Sequence, residues 1–266
     1  MRFTLKARNG VSITDEERDL LAAIVEKWIK INTPMIKPVS HEEITGLQPI
    51  LYEIDLSHTV ANALFEIIIP FDQRHFPCYR LFGSIVKFFP DKLGEITRLM
   101  RIGLASDNVN QAEDAILGLF DWFRAASKNE SSIPLPPEDV LFEVGVIIAT
   151  RRKGILHQAL QVARWIFSSG SAKQGDAIAQ STLHGLRYLI EELDYNRDHD
   201  EKDEVDIPLL RWGCAHLALA MSASVYETDP TVKRWAEVAM KDPLPEVRHA
   251  ERPASACTNE GKSFAS

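Results

Sequence analysis

Cysteine is scarce in this chain and falls into no pattern. Cys78, Cys214 and Cys257 are the only three among 266 residues. Their odd number and wide spacing exclude a disulfide framework and point to a reducing, cytoplasmic setting. The opening MRFTLKARNG has no hydrophobic core of the secretory kind, so no secretory signal is expected there. Long hydrophobic runs are absent too. The longest uncharged stretch, WGCAHLALAMSASVY at 212–226, is shorter than the ~18 apolar residues that a membrane span requires, and it reads as a buried helix. Basic charge is in deficit: 30 Lys and Arg stand against 38 Asp and Glu, a net charge of −8. A field of that sign repels phosphate backbones and anionic lipid, so neither nucleic acid nor membrane is the expected partner.

What is present describes a folded, soluble protein, with 45% hydrophobic and 26% charged residues. Its length accommodates one large domain, two ordinary ones or an elongated array. Period-two alternation is confined to the start. Phe3, Leu5 and Ala7, then Asn9-Gly10, then Val11 and Ile13 predict a small N-terminal β-hairpin. From Thr14 onward the spacing is helical. Thr14 and Glu17 form a capping box ahead of Leu20, Leu21, Ile24, Val25, Trp28 and Ile29, predicted to share one face. Further helices are predicted at 42–54, 57–69, 77–89, 91–104 and 108–127. Beyond them come 138–150, 154–168, 173–194, 207–226, 230–241 and 244–250, many of them bounded by proline. SSIPLPPED at 131–139 is the candidate linker, and 251–266, without periodicity, the predicted disordered tail. The predicted fold class is all-α.

Two patterns repeat. AILGLFDWF at 115–123 aligns with ALQVARWIF at 159–167, an offset of 44. Arg164-Trp165 returns as Arg211-Trp212, an offset of 47, and Arg-Trp occurs again at 234–235. Offsets near 40–47 match helix-pair repeats. The stretch DPTVKRWAEVAMKDPLPEVRHA at 229–250 carries one helix-start device twice, Asp229-Pro230 and Asp242-Pro243, each followed by valine and a basic residue. Aspartate at an N-cap accepts bonds from exposed N–H groups, and proline at the first helical position gives up none that it needs. In the first copy, Val232, Trp235, Ala236, Ala239 and Met240 form the predicted buried stripe. This stretch resembles the Asp-Pro-x-Val-Arg helix starts of HEAT and armadillo-like repeat proteins, closely over 229–250 and loosely over 105–250. The resemblance implies stacked antiparallel helix pairs, an α-solenoid used as a binding scaffold, with no catalytic residues to carry over. The expected organisation is a hairpin and helical region at 1–104, HEAT-like repeats at 105–250 and a tail at 251–266.

Sites of known chemistry are near misses. Asp194, Asn196, Asp198 and Asp200 follow a calcium-loop spacing, but His199 replaces its glycine and Val205 its closing glutamate. That stretch, 194–206, reads as an acidic connector. GSAKQGDA at 170–177 lacks the Lys-Ser/Thr pair of a phosphate loop, and ACTNEGKS at 256–263 lacks the first glycine. No His-Glu-x-x-His pattern occurs. Cys214 and His216, two apart, point to different helix faces. His184 and Tyr188 are spaced to touch as packing. Arg151-Arg152-Lys153 sits at a helix end, where it complements the negative pole.

The expected role is therefore a non-catalytic scaffold, without cofactor or metal, that binds another protein or its own copy. Arg164, Trp165, Arg211, Trp212, Arg234 and Trp235 are the candidate partner-binding residues, because Trp and Arg are preferred interface anchors. Two alternatives stand beside this. One is an enzyme of the base-excision type, which some HEAT-like folds resemble, built here from Asp121, Trp122, Arg151 and Arg152. The other is an obligate subunit whose hairpin edge is completed by a larger assembly.

Overall fold

The computed structural model describes residues 14–32, 45–68, 77–127, 132–169, 172–193 and 207–248. The expected hairpin at 3–13, the connector at 194–206 and the tail at 251–266 lie outside them. Every regular element among the described residues is helical, as the 3.6-residue spacing predicts. Two compact units divide the chain, residues 1–140 and 141–266.

In the first unit, α1 (Asp15–Asn32) starts on the predicted capping box. The Thr14 N–H donates to Glu17 Oε2 at 3.2 Å, and the Glu17 N–H donates to Thr14 Oγ1 at 3.3 Å. Its apolar residues do not share one face, however. Leu21, Val25 and Ile29 are buried, whereas Leu20 and Ile24 are each 51% exposed.

Of the helix expected at 42–54, residues 42–44 lie outside the described ones; α2 (Gln48–Leu51) ends in a turn at Tyr52 and Glu53, short of the expected end. Just beyond that turn Lys87 Nζ donates to the Ile54 carbonyl at 2.7 Å and pairs with Asp55 at 3.1 Å. α3 (His58–Ile68) packs on α1. The single helix expected at 77–89 is a 3-10 turn at Tyr79–Leu81 running into α4 (Phe82–Phe88). α5 (Leu93–Ala105) and α6 (Val109–Ala126) pack together across a three-residue joint. Asn108 caps α6, its Oδ1 accepting from the N–H groups of Asn110 and Gln111.

Core packing explains Gly118 on α6. A Cβ there would stand 2.5 Å from the Tyr79 carbonyl oxygen, so only glycine allows this approach. Trp122 is fully buried and its Nε1 donates to the Pro134 carbonyl at 2.8 Å. The predicted linker is consequently anchored at its centre, with Ile133 also buried.

α7 (Glu138–Ala149) crosses from one unit into the next. The second unit continues with α8 (Leu156–Ser169), α9 (Ala172–Glu192), α10 (Ile207–Ser222), α11 (Pro230–Met240) and α12 (Pro245–Arg248). α8 packs on α9 and on α10, α10 packs on α11, and α9 packs on α11. Gly185 of α9 lies against Ile148 of α7, where a Cβ would come within 2.7 Å of the Ile148 carbonyl carbon.

The two Asp-Pro devices differ in use. Asp229 caps α11 as predicted, Oδ1 accepting from Thr231 N–H at 2.7 Å, with Pro230 in the first turn. Asp242 does not occupy the matching position, since α12 begins only at Pro245. Its Oδ1 accepts from Leu244 N–H at 2.8 Å in an Asx turn, and its Oδ2 accepts from Arg211 Nε at 2.9 Å. The stripe of α11 is also narrower than expected: Val232, Trp235 and Ala239 are buried, but Met240 is 54% exposed.

Candidate partner-binding surface

Adjacent helical residues point about 100° apart, so the two members of each Arg-Trp pair meet different surroundings. Arg211 is buried against Asp242, while Trp212 is partly buried and packs on the cluster of Ala215, Ala239 and Val247. Trp235 is buried and its Nε1 donates to the Leu186 carbonyl at 2.9 Å. Its neighbour Arg234 is exposed and pairs with Glu237 one turn away at 3.2 Å. Trp165 is 37% exposed and Arg164 is half-buried. Of the six candidates, then, Arg211 and Trp235 hold the core together. Arg164, Trp165 and Arg234 reach solvent, and Trp212 lies between.

What the fold brings together is a cluster on α8 and α10. The Arg164 guanidinium lies 6.0 Å from the centre of the Trp212 indole, within the range of a cation–π contact. His216, one turn further along α10, tilts against the same indole at 4.5 Å, and the His157 ring from α8 lies 6.3 Å away. Burial, and secondarily the Arg164 charge, pull the His216 imidazole down to about 4, so it is neutral at physiological pH. Sequence spacing held a signal for this. Trp212 and His216 are four apart, as are His157 and Gln161, and such pairs share a helix face. Their meeting across two helices is a tertiary fact. The patch continues along α8: Phe167 meets Tyr226 edge-on at 5.9 Å, and the Tyr226 hydroxyl donates to Asp176 Oδ1 at 2.5 Å. Burial and that carboxylate push the phenol up to about 12.

A second cluster forms where α7 ends. Arg151 has φ 52°, and among the described residues it is the non-glycine in the left-handed region. The Arg152 N–H bonds to the Ile147 carbonyl and the Arg151 N–H to the Ile148 carbonyl, both at 3.1 Å. This is a Schellman closure with arginine where glycine is usual. The guanidinium pairs with Glu192 and lies 5.2 Å from the Tyr188 ring centre, which His184 meets edge-on at 4.9 Å.

The residues singled out for base-excision chemistry are held in internal contacts. Asp121 accepts from Arg80 Nε at 3.0 Å and Nη2 at 2.7 Å. Desolvation raises its carboxyl above the usual range despite that arginine. Trp122 is in the core and Arg151 is paired. Among the described residues no group of three His, Cys, Asp or Glu side chains is placed to hold a metal, and no helix is long and apolar enough to cross a membrane. Cys78 and Cys214 are buried, and burial raises both thiols above their ordinary range, which favours the protonated thiol at neutral pH. Comparison of the chain with protein-family models, with curated proteins and with solved structures finds no match.

Proposed function

We propose that the chain is a non-catalytic helical-repeat scaffold that binds another protein through the α8–α10 surface. Its helices would be stacked antiparallel pairs of the HEAT-like, α-solenoid kind. The packing order in the second unit favours this arrangement. Helices α8 and α9 form one pair and α10 and α11 the next, while α8 meets α10 and α9 meets α11 between pairs. Each pair then covers the apolar side of its neighbour, which is how repeat arrays gain their core. The 47-residue offset fits the same reading, since it relates Arg164-Trp165 on α8 to Arg211-Trp212 on α10.

A single observation carries the binding role. Exposed Trp165 stands in sequence beside an arginine already held over a second tryptophan, Trp212. Interfaces concentrate their energy on anchors of these two types, and a preorganised arginine loses less rotamer freedom on binding. The test is affinity capture from native extract with the wild-type chain and with a Trp165→Ser, Arg164→Glu variant. A partner retained at low salt by the wild type and lost by the variant, with the helical circular dichroism unchanged, is the expected outcome. Equal retention by both, or retention of nothing, counts against the assignment.

A further inference from the structure

Helix α1 has two apolar faces, of which α3 covers only one. Leu21, Val25 and Ile29 are buried. Leu20, Ile24 and Ile31 are 51, 51 and 67% exposed. At 100° per residue these three fall within about 40° of one another, roughly a third of a turn from the buried face. An exposed stripe of that kind marks an interaction site more often than a lone surface leucine does.

Charge is graded along its edge. Glu16 and Asp19 lie toward the N-terminal end, Lys27 and Lys30 toward the C-terminal end, and all four are exposed. Among the described residues no ion pair engages any of them. Between the two charge pairs sits exposed Ala23, a side chain small enough for close approach.

We infer that this stripe pairs antiparallel with α1 of a second copy of the chain. A two-fold axis across an antiparallel helix pair sets each edge against the same edge running the other way. With Ala23 near the axis, Asp19 faces Lys27 of the other copy and Glu16 faces Lys30. The apolar residues Leu20 and Ile24 interleave beside them. A parallel pairing would set this edge against the opposite one and leave the four charges without these partners, so the charge gradient selects the antiparallel one. The contact is closed and self-limiting. It is also small, since one helix pair buries less than the ~1,200 Å² at which stable interfaces begin. The association is therefore weak, concentration-dependent and salt-sensitive. It uses different residues from the proposed partner surface and stands independently of it.

Sedimentation velocity over a concentration series at low salt tests the proposal. The wild type is expected to move from monomer to dimer. Glu16→Lys with Asp19→Lys makes the edge wholly basic, and Lys27→Glu with Lys30→Glu makes it wholly acidic. Each variant alone is expected to dimerise about tenfold or more weakly, and an equimolar mixture of the two to restore the dimer. All four positions are exposed, so helicity is expected to persist; Ile24→Gln supplies an uncharged second check that also weakens pairing. A wild type that stays monomeric throughout overturns the inference, as does dimerisation unaffected by the reversals or a mixture that fails to rescue.

Discussion

His216 shows how one side chain's environment sets its chemistry. Its imidazole lies against Trp212 on a partly desolvated helix face, and Arg164 adds a like charge that opposes protonation. The folded value near 4 is below the ordinary 6.5, so between those limits the unfolded chain binds a proton that the native state refuses. Stability contributed by this group is therefore complete above pH 6.5 and is lost as pH falls toward 4. NMR titration is expected to show the His216 ring neutral through the range in which an exposed histidine charges. In an Arg164→Gln variant its pKa is expected to rise. A titration near 6.5 in the wild type would contradict the packing described. That the two members of an Arg-Trp pair point in different directions was legible from sequence, because adjacent helical residues lie about 100° apart. Which member turns inward was not, since Asp242 and Leu186, the partners that decide it, lie 31 and 49 residues away.

Helix starts were the most legible elements, and the reason is local. Capping is decided within four residues, so Thr14, Asn108 and Asp229 carry their own instructions. Contacts made by distant groups just past a helix end were not legible. Lys87 takes up the Ile54 carbonyl beyond α2 from 33 residues away, and no window along 42–54 contains that information. The duplicated Asp-Pro device makes the same distinction testable. Asp229 is an ordinary cap, and Asp229→Ala is expected to cost about 0.5–2 kcal/mol. Asp242 is fully buried with Arg211 as its charge partner. Asp242→Ala, which removes the buried carboxylate paired with that guanidinium, is expected to cost about 3–5 kcal/mol. Urea unfolding of the two variants checks the order, and equal losses would show that the two aspartates do the same work.

At the scale of the molecule, net charge and hydrophobic spacing are properties of the whole chain. The all-α class was legible because hydrophobic spacing integrates over whole segments. The meeting of Arg164 with Trp212 and His216 was not, because it depends on how α8 and α10 cross. A net charge of −8 opposes the approach of phosphate backbones. Fluorescence anisotropy with duplex DNA is therefore expected to show no binding. Binding that weakens steeply as salt rises would instead point to phosphate contacts and favour the nucleic-acid reading.

Glycine ends helices without protest; arginine at position 151 does not. Its left-handed backbone opposes the preference of any residue bearing a Cβ by roughly 1–3 kcal/mol, and neighbouring contacts must oppose that tendency continuously. Glu192 and Tyr188 lie on α9, so the final turn of α7 is fastened from the helix beside it as well as by its own closing bonds. Fraying in the second unit is expected to begin at that joint, where among the described residues a left-handed backbone meets a residue bearing a Cβ.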